Sequence, residues 1–351
     1  MSWIRENEGS QSSWLRRFCA NVLKAGPLPK HVAFIMDGNR RFASKKSIQR
    51  AEGHLMGFEK LSETLEWCRD LDITEVTVYA FSIENFKRSK EEVDGLMELA
   101  REKFVKLLEE KERLKKYDIC VRVIGNLSLL PHDIQESIAE AVYYTKDHKR
   151  ATLNVCMPYT SRDEICAAMR EVTEGVQLGL LRESDISAEV VDKCLYTNHS
   201  PHPDLVVRTS GEVRLSDFLL LQSSFSVLAF VKVLWPEFSI WHLYAAILHY
   251  QQNYKDVQKA KDYRQAQEES DVEESDYNHV KDHFHKDHRA KDSPNIQQRL
   301  LEYKTEREQR IRTFLTHLEN KRTKYFEDLC LKRNQSGAKE DLVHRTSNHA
   351  V

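Results

Sequence analysis

Short apolar runs alternate with longer amphipathic stretches between residues 31 and about 250. Six runs rich in Val and Ile are apolar at nearly every position, which is typical of strands covered on both faces of a parallel sheet. These predicted strands are 32–36, 75–81, 119–124, 152–156, 205–208 and 227–233, and helical spacing predicts helices over 54–70, 90–116, 132–146, 162–180 and 239–252. The alternation predicts a single α/β domain with a mainly parallel central sheet of about six strands flanked by helices.

Two capping-box signals support the predicted helix starts. Ser89 precedes Glu92 by three residues, and Ser161 precedes Glu164 by three. In such a box the hydroxyl accepts a backbone N–H and the acidic side chain returns to the cap.

An amphipathic arm occupies residues 1–30, before the first predicted strand. Trp14, Phe18 and Val22 recur at helical spacing beside Arg16 and Arg17. A helix packed on its own protein explains this pattern, and so does a basic helix lying on a membrane surface. The aromatic and basic content favours the membrane surface, while Trp3 adds apolar character upstream.

The composition changes after residue 252, which places the α/β domain at 31–252. Residues 253–331 are predicted to form a charged helical extension with a partly disordered insert, and 332–351 a flexible tail. His279, His283, His285 and His288 form a weak candidate metal cluster, although a solvated insert explains them better. A seam of Ile311, Leu315, Leu318, Tyr325 and Leu329, interrupted by Arg322, predicts a long helix that packs on a neighbour.

The overall charge and the cysteines narrow the functional classes. A net charge of −2 argues against bulk attraction to nucleic acid, so that any anion site must be local. The seven cysteines form no CxxC pair, which disfavours zinc ribbons and thioredoxin-like chemistry and suits a reducing compartment. No apolar run approaches the length of a membrane span, and no secretory signal is recognisable.

Polar clusters follow three of the predicted strands: Asp37-Gly38-Asn39, then residues 82–85, then residues 208–211. Ligands of parallel α/β sheets bind beyond the carboxyl ends of the strands, where these clusters meet. Six arginines (Arg40, Arg41, Arg50, Arg88, Arg208 and Arg214) accompany hydroxyl, amide and carboxylate groups there. The pattern predicts sites for more than one phosphate group.

Each of these residues also has an ordinary structural explanation. Arg88 could cap a turn, Arg214 could pair with Glu212 or Asp217, and Ser216 could cap a helix. The clusters are nevertheless flanked by apolar residues, which suits an amphiphile with a diphosphate head and a hydrocarbon tail. The P-loop, the dinucleotide GxGxxG, the GxSxG elbow and any adjacent pair of aspartates are absent from the sequence.

Five ordered blocks closely resemble the cis-prenyltransferase family, the undecaprenyl and dehydrodolichyl diphosphate synthases. They are HVAFIMDGNRRFA at 31–43, RAEGH at 50–54, VTVYAFSIENFKRS at 76–89, RTSGEVRLSDFLL at 208–220 and LWPEF at 234–238. The N-terminal arm and the charged extension resemble the animal dehydrodolichyl members. The resemblance implies successive addition of isopentenyl diphosphate to farnesyl diphosphate, giving a long-chain polyprenyl diphosphate for dolichol synthesis and protein glycosylation.

The resemblance also implies roles for individual residues. Asp37 matches the Mg²⁺ residue essential for catalysis, and His54, Ser82, Glu84 and Asn85 match residues that position or polarise the reacting groups. The matched allylic-diphosphate positions are Gly38, Asn39, Arg40, Arg41, Arg50 and Arg88, and the matched isopentenyl-diphosphate positions are Arg208, Arg214 and Ser216. Mg²⁺ is therefore the expected cofactor.

Two departures from the family pattern imply a partner chain. Val227 stands where homodimeric bacterial members have a metal-binding Glu, and no Arg-x-Gly follows residue 252. Animal members obtain that motif and a membrane anchor from a Nogo-B receptor-type subunit, so we expect a heteromer at the cytosolic face of the endoplasmic reticulum membrane. The alternative is a non-catalytic scaffold subunit, which the intact Asp37 and arginine clusters disfavour. Leu221 replaces a usual Trp, with an expected effect on packing alone.

Overall fold

The protein is described here by a computed structural model covering residue 3, residues 14–286 and residues 296–347. Side chains are described up to residue 282 before the gap and up to residue 331 after it. The chain divides into two compact units. The first unit contains 1–161, 201–255 and 325–351, and the second contains 162–200 and 256–324.

One six-stranded sheet, with every neighbouring pair parallel, forms the centre of the first unit. Its strands are β1 (His31–Ile35), β2 (Glu75–Tyr79), β3 (Ile119–Ile124), β4 (Ala151–Cys156), β5 (Leu205–Arg208) and β6 (Val227–Phe230), in the order β3-β4-β2-β1-β5-β6. β1 lies between β2 and β5 and is buried along its whole length. This confirms the predicted fold class, because burial of both faces requires the continuous apolar runs seen in the sequence.

β1 lies one residue earlier than predicted, at His31–Ile35, and two other strands end two or three residues early. β2 ends at Tyr79 because a 3-10 helix, Ile83–Lys87, follows the short turn after it. β6 ends at Phe230, and the next residues bond to the Arg208–Gly211 segment: the Ser210 N–H donates to the Val233 carbonyl at 2.7 Å. Both early ends place irregular backbone at the carboxyl edge of the sheet.

Ten helices surround or follow the sheet within the described ranges. They are α1 (Trp14–Lys24), α2 (Asn39–Lys46), α3 (Arg50–Asp70), α4 (Lys90–Glu109), α5 (Lys111–Tyr117), α6 (His132–Thr145), α7 (Ser161–Gln177), α8 (Ala188–Cys194), α9 (Ile240–Lys286) and α10 (Ile296–Ser347). The single helix predicted over 90–116 is two helices that meet at Glu110. α1 confirms the predicted N-terminal amphipathic helix.

The apolar face of α1 is largely exposed. Trp14 is 75% exposed and Phe18 is 59% exposed, while Leu23 is buried. Among the described residues, none of the helices is both long and apolar enough to cross a membrane.

The second unit is a helical bundle with its own apolar core. Phe314 and Leu318 of α10 pack with Val172 of α7 and with Val190 and Leu195, which lie in and just after α8. Ile311 and Leu315 pack against the same core, so this part of the predicted seam lies within one chain. Arg322 does not disrupt it, because its guanidinium donates to the Leu195 carbonyl at 3.1 Å and also to the Cys194 carbonyl at the end of α8.

The helix predicted to end at residue 252 continues to Lys286. It passes through most of the segment for which the composition predicted a partly disordered insert. His279 stacks on Tyr303 with ring centroids 4.6 Å apart. The side chains of His283, His285 and His288 lie outside the described residues, as do the side chains of the predicted tail from 332 onward.

Candidate active site

Asp37 lies two residues after the end of β1, and two hydrogen bonds fix its backbone carbonyl. Its carbonyl accepts from the Thr209 hydroxyl at 2.7 Å and from the Trp235 N–H at 3.0 Å. The next residue, Gly38, caps α2 with a φ of 113°, and a Cβ there would lie 2.4 Å from the Ser210 hydroxyl. Only glycine fits this left-handed, crowded position.

The Asp37 carboxylate connects two of the predicted strand-end clusters. Its Oδ2 lies 2.9 Å from Nη2 of Arg208 and 3.4 Å from Nη2 of Arg41. Arg208 also donates to the Ser216 hydroxyl at 2.6 Å, and its side chain is 4% exposed. A buried guanidinium thus joins a third-exposed carboxylate to the loop after β5.

The rim of this cluster has further charged groups. Arg41 Nη1 lies 3.4 Å from Glu212 Oε1, and Arg214 pairs with the same carboxylate. This is one of the structural alternatives for Arg214 raised by the sequence. Arg41 and Arg214 are about half or more exposed, so both can reach a ligand from solvent.

A second cluster brings three of the predicted allylic-site arginines to one carboxylate, that of Glu92. Arg88 Nη1 lies 2.8 Å from Glu92 Oε1, and Arg50 Nη1 lies 3.2 Å from Oε2. Arg40 Nε lies 3.8 Å from Oε1. Burial lowers the pKa of Arg88, and the neighbouring Arg40 lowers it further.

His54 adjoins this second cluster from α3. Burial lowers its pKa to about 4, and the nearby Arg88 and Arg40 act in the same direction, whereas Glu92 opposes them. His54 is therefore neutral at pH 7, and its Nε2 is buried without a hydrogen-bond partner among the described residues. A neutral imidazole in this position can accept a proton or a hydrogen bond.

Ser82, Glu84 and Asn85 belong to the 3-10 helix that follows β2. The Ser82 hydroxyl accepts from the Glu84 N–H at 3.2 Å, and the Ser82 N–H donates to Asn85 Oδ1 at 3.1 Å. The Glu84 carboxylate pairs with Lys87. Ser82 and Asn85 therefore cap the short helix that follows the carboxyl end of β2.

An apolar cavity of about 130 Å³ lies against the clusters. Its lining includes His54, Asn39 and Tyr79 toward the charged groups and Phe58 and Phe104 farther in. Oδ1 of Asn39 is buried without a partner among the described residues. The lining is mostly apolar and includes one buried cation, Lys103, whose Nζ lies 4.8 Å from the centroid of the Phe58 ring. A mostly apolar cavity beside charged clusters suits the amphiphile that the sequence predicts.

A second cavity of about 190 Å³ lies toward the opposite edge of the sheet, and Trp3 lines both cavities. The Trp3 indole donates to the Lys103 carbonyl at 2.7 Å, and its backbone N–H donates to Glu110 at 3.1 Å. Its ring meets Phe58 edge-on, with centroids 4.8 Å apart. Trp3 therefore forms part of the wall of both cavities.

The carboxylates of the site determine whether it could hold a divalent cation. Within the described residues, no group of three or more His, Cys, Asp or Glu side chains could hold a metal ion. Mg²⁺ commonly takes one or two carboxylates and completes its shell with substrate phosphates and water. The single carboxylate of Asp37 fits that pattern, provided that a diphosphate supplies the other oxygens.

Sequence reasoning missed three residues of this region. Glu92 was assigned to a capping box, Trp3 to the N-terminal arm, and Trp235 only to a family block. The Trp235 indole donates to the Gly57 carbonyl at 2.7 Å, so it links α3 to the backbone of Asp37. The one sequence signal for Glu92 is its spacing of four residues from Arg88, which suits an ion pair between them.

The chain matches, over residues 35–258, the family described as "Putative undecaprenyl diphosphate synthase". It is 55% identical to human dehydrodolichyl diphosphate synthase complex subunit DHDDS over 92% of this chain and 96% of that protein. It is 49% identical to the Pyrococcus abyssi tritrans,polycis-undecaprenyl-diphosphate synthase (geranylgeranyl-diphosphate specific), over 63% of this chain and 84% of that protein.

Its fold is similar to the crystal structure of lavandulyl diphosphate synthase from Lavandula x intermedia in complex with dimethylallyl diphosphate. That likeness has a TM-score of 0.60 at 33% identity, over 64% of this chain and 95% of the other. The chain belongs to the cis-prenyltransferase family.

Proposed function

We propose that this chain is the catalytic subunit that adds isopentenyl diphosphate units to farnesyl diphosphate, making the long-chain polyprenyl diphosphate of dolichol synthesis. The observation that carries the proposal is a pair of cationic clusters, one joined by the Asp37–Arg208–Ser216 contacts and the other gathered at Glu92, next to an apolar cavity. Two clusters suit two diphosphates, and the cavity suits one hydrocarbon tail. The close human relative carries a matching name.

The residue types suit the chemistry. The C–O bond of the allylic diphosphate breaks, a carbon–carbon bond forms with the isopentenyl double bond, and one proton leaves. Arg40, Arg50 and Arg88 stabilise charge that develops on the departing diphosphate. Mg²⁺ held by Asp37 and phosphate oxygens would add charge neutralisation there.

Arg208, Arg214 and Ser216 hold the isopentenyl diphosphate in this proposal. The neutral His54, with Ser82 and Asn85, orients or polarises the reacting groups from the mouth of the cavity. Glu84, Gly38, Asn39 and Arg41 complete the substrate contacts.

A partner subunit is the second part of the proposal. The human relative is described as a complex subunit, and Val227, the first residue of β6, cannot ligate a metal. We propose that a Nogo-B receptor-type subunit completes the site at the cytosolic face of the endoplasmic reticulum membrane. The exposed Trp14 and Phe18 of α1 support peripheral contact with that surface.

Product analysis tests both parts. The purified chain, alone and with the partner, is incubated with farnesyl diphosphate, labelled isopentenyl diphosphate and Mg²⁺. We expect long-chain polyprenyl diphosphate from the mixture and weak incorporation by the chain alone. Full activity of the isolated chain would contradict the partner, and no product from the mixture would contradict the reaction.

Asp37→Ala separates an enzyme from a scaffold. We expect turnover by the complex to fall by about 10³-fold, with the fold and partner binding kept. The melting temperature should fall, because the buried Arg208 loses its charged partner. Unchanged turnover would favour the scaffold alternative.

A further inference from the structure

Glu92 is a nearly buried acid that contacts arginines from three separate parts of the chain. It lies in the first turn of α4, and its side chain is only 6% exposed. Its partners are Arg40 on α2, Arg50 at the start of α3, and Arg88 just before α4. No other carboxylate in the described ranges is paired with more than one of these three arginines.

We infer that Glu92 is a positioning residue for the allylic diphosphate: it orients Arg40, Arg50 and Arg88 as a preformed cradle. This inference rests on the proposed function. Three guanidinium groups carry more positive charge than one carboxylate neutralises, so the cluster keeps an excess for an incoming anion. Arginines that repel one another would otherwise spread apart into solvent.

The exposure of two of the arginines indicates that their contacts with Glu92 serve orientation more than stability of the fold. The side chains of Arg40 and Arg50 are 54% and 68% exposed. Ion pairs with such exposed partners contribute little to stability. What the buried carboxylate adds is a fixed direction for each guanidinium, and preorganised donors lose less freedom when the ligand binds.

Two possible roles of Glu92 predict opposite changes in diphosphate binding when the acid is removed. If the acid merely competes with the substrate, its removal must strengthen diphosphate binding, because the site becomes more positive. If it orients the arginines, its removal must weaken binding despite the added positive charge. His54 does not confuse the outcome, because it is neutral at pH 7 and loss of the acid would lower its pKa further.

The test measures binding of an unreactive farnesyl thiolodiphosphate to the partner complex by calorimetry, with the wild-type chain and with Glu92→Gln. We expect about 10-fold weaker binding in the variant. Glu91→Gln is the matched control, since Glu91 is an exposed acid in the same helical turn, and it should bind within about twofold of the wild type. Binding by Glu92→Gln as tight as that of the wild type, or tighter, would overturn the inference.

Steady-state kinetics of the partner complex add a second measurement. Glu92→Gln should raise KM for farnesyl diphosphate by about 10-fold while KM for isopentenyl diphosphate stays within twofold, because Glu92 has no contact with Arg208 or Ser216. An equal rise in both constants would overturn the inference. A wild-type partner complex that fails to bind the analogue would instead refute the proposed function.

Glu92→Asp decides the question if the glutamine variant melts well below the wild type. It keeps the charge but withdraws the carboxylate by about 1.5 Å. Weaker binding of the analogue supports a role in orientation, and unchanged binding overturns it.

Discussion

Arginine–carboxylate pairs in the two units differ in what surrounds them. In the second unit, Arg310 donates to both oxygens of Asp185 at 2.7 and 2.8 Å, and the Asp185 side chain is fully buried. In the first unit, Arg208 is buried but its partner Asp37 is 32% exposed. The first kind of pair is closed and complete, whereas the second opens toward solvent.

The packing around the two pairs also differs. In the first unit, a cavity of about 130 Å³ lies beside the candidate site. In the second unit, a Cβ added at Gly175 would lie 2.6 Å from the Phe314 ring, so that core is tightly filled. Among the described residues, unpartnered buried polar atoms do not distinguish the units, because Asn39, His54, Arg208 and Ser210 have them in the first and Asn198 and Arg307 in the second. A closed pair beside a filled core supports a fold, while a partly exposed pair beside a cavity suits a ligand.

Removal of the carboxylate from the closed Arg310–Asp185 pair should have the largest effect on stability. Asp185→Ala leaves the Arg310 guanidinium without its main partner and should lower the free energy of unfolding by about 3 kcal/mol. Urea denaturation measures it. Glu174→Ala, which removes an exposed partner of Lys321 in the same unit, should cost less than about 1 kcal/mol. An equal loss of unfolding free energy in the two variants would show that closed and exposed pairs contribute alike to stability.

The open pair should show the reverse pattern. Arg208→Gln should reduce kcat/KM by about 10²- to 10³-fold, because both Asp37 and Ser216 lose their shared donor. Its effect on stability should be small, since the exposed Asp37 can be solvated. Arg101→Gln, which removes a surface arginine paired with Asp133 and Glu98, should leave kinetics unchanged. Normal turnover by Arg208→Gln would contradict the assigned site.

His54 allows a smaller and pH-dependent test. The unfolded chain protonates this histidine near pH 6.5, whereas the folded protein does so only near pH 4. Acidification from about pH 7.5 to 5.5 therefore favours unfolding, and His54 should account for about 1 kcal/mol of the loss. His54→Asn should lose less stability over this interval, as urea midpoints at both pH values would show. A parallel pH dependence in the two proteins would contradict the lowered pKa.

Replacement of Trp3 tests the role of the two cavities in the first unit. Trp3→Ala should connect the two cavities that Trp3 now lines, and should shift the products toward longer chains with a small change in initial rate. Chromatography of the labelled products measures the shift. An unchanged product distribution would show that Trp3 does not limit growth.

The sequence predicted the sheet because each buried strand is a continuous apolar run, and it predicted the site edge because parallel strands end together. It misjudged residues whose partners are distant. Glu92 N–H does donate to the Ser89 hydroxyl at 3.4 Å, as a capping box requires. Its carboxylate, however, binds arginines up to 52 residues away, and no local pattern encodes that choice.

The long α9 was missed for a different reason. Its segment after residue 252 is strongly charged, and solvated helices lack the apolar stripe from which helices are recognised. Pairs four residues apart, such as Arg264 with Glu268 at 2.7 Å, support it instead. Arg322 shows the same limit, because a cation within an apolar seam is explained only once the helix end that it caps is known.

Trp3 also offers an optical signal. It is one of five tryptophans, it is 5% exposed, and its ring meets Phe58 edge-on. An alkyl chain entering the first cavity changes the polarity around this indole, whereas the exposed Trp14 stays in solvent. A variant that keeps Trp3 and has Phe at the other four positions would report by its fluorescence, in real time, when a growing product reaches the inner wall.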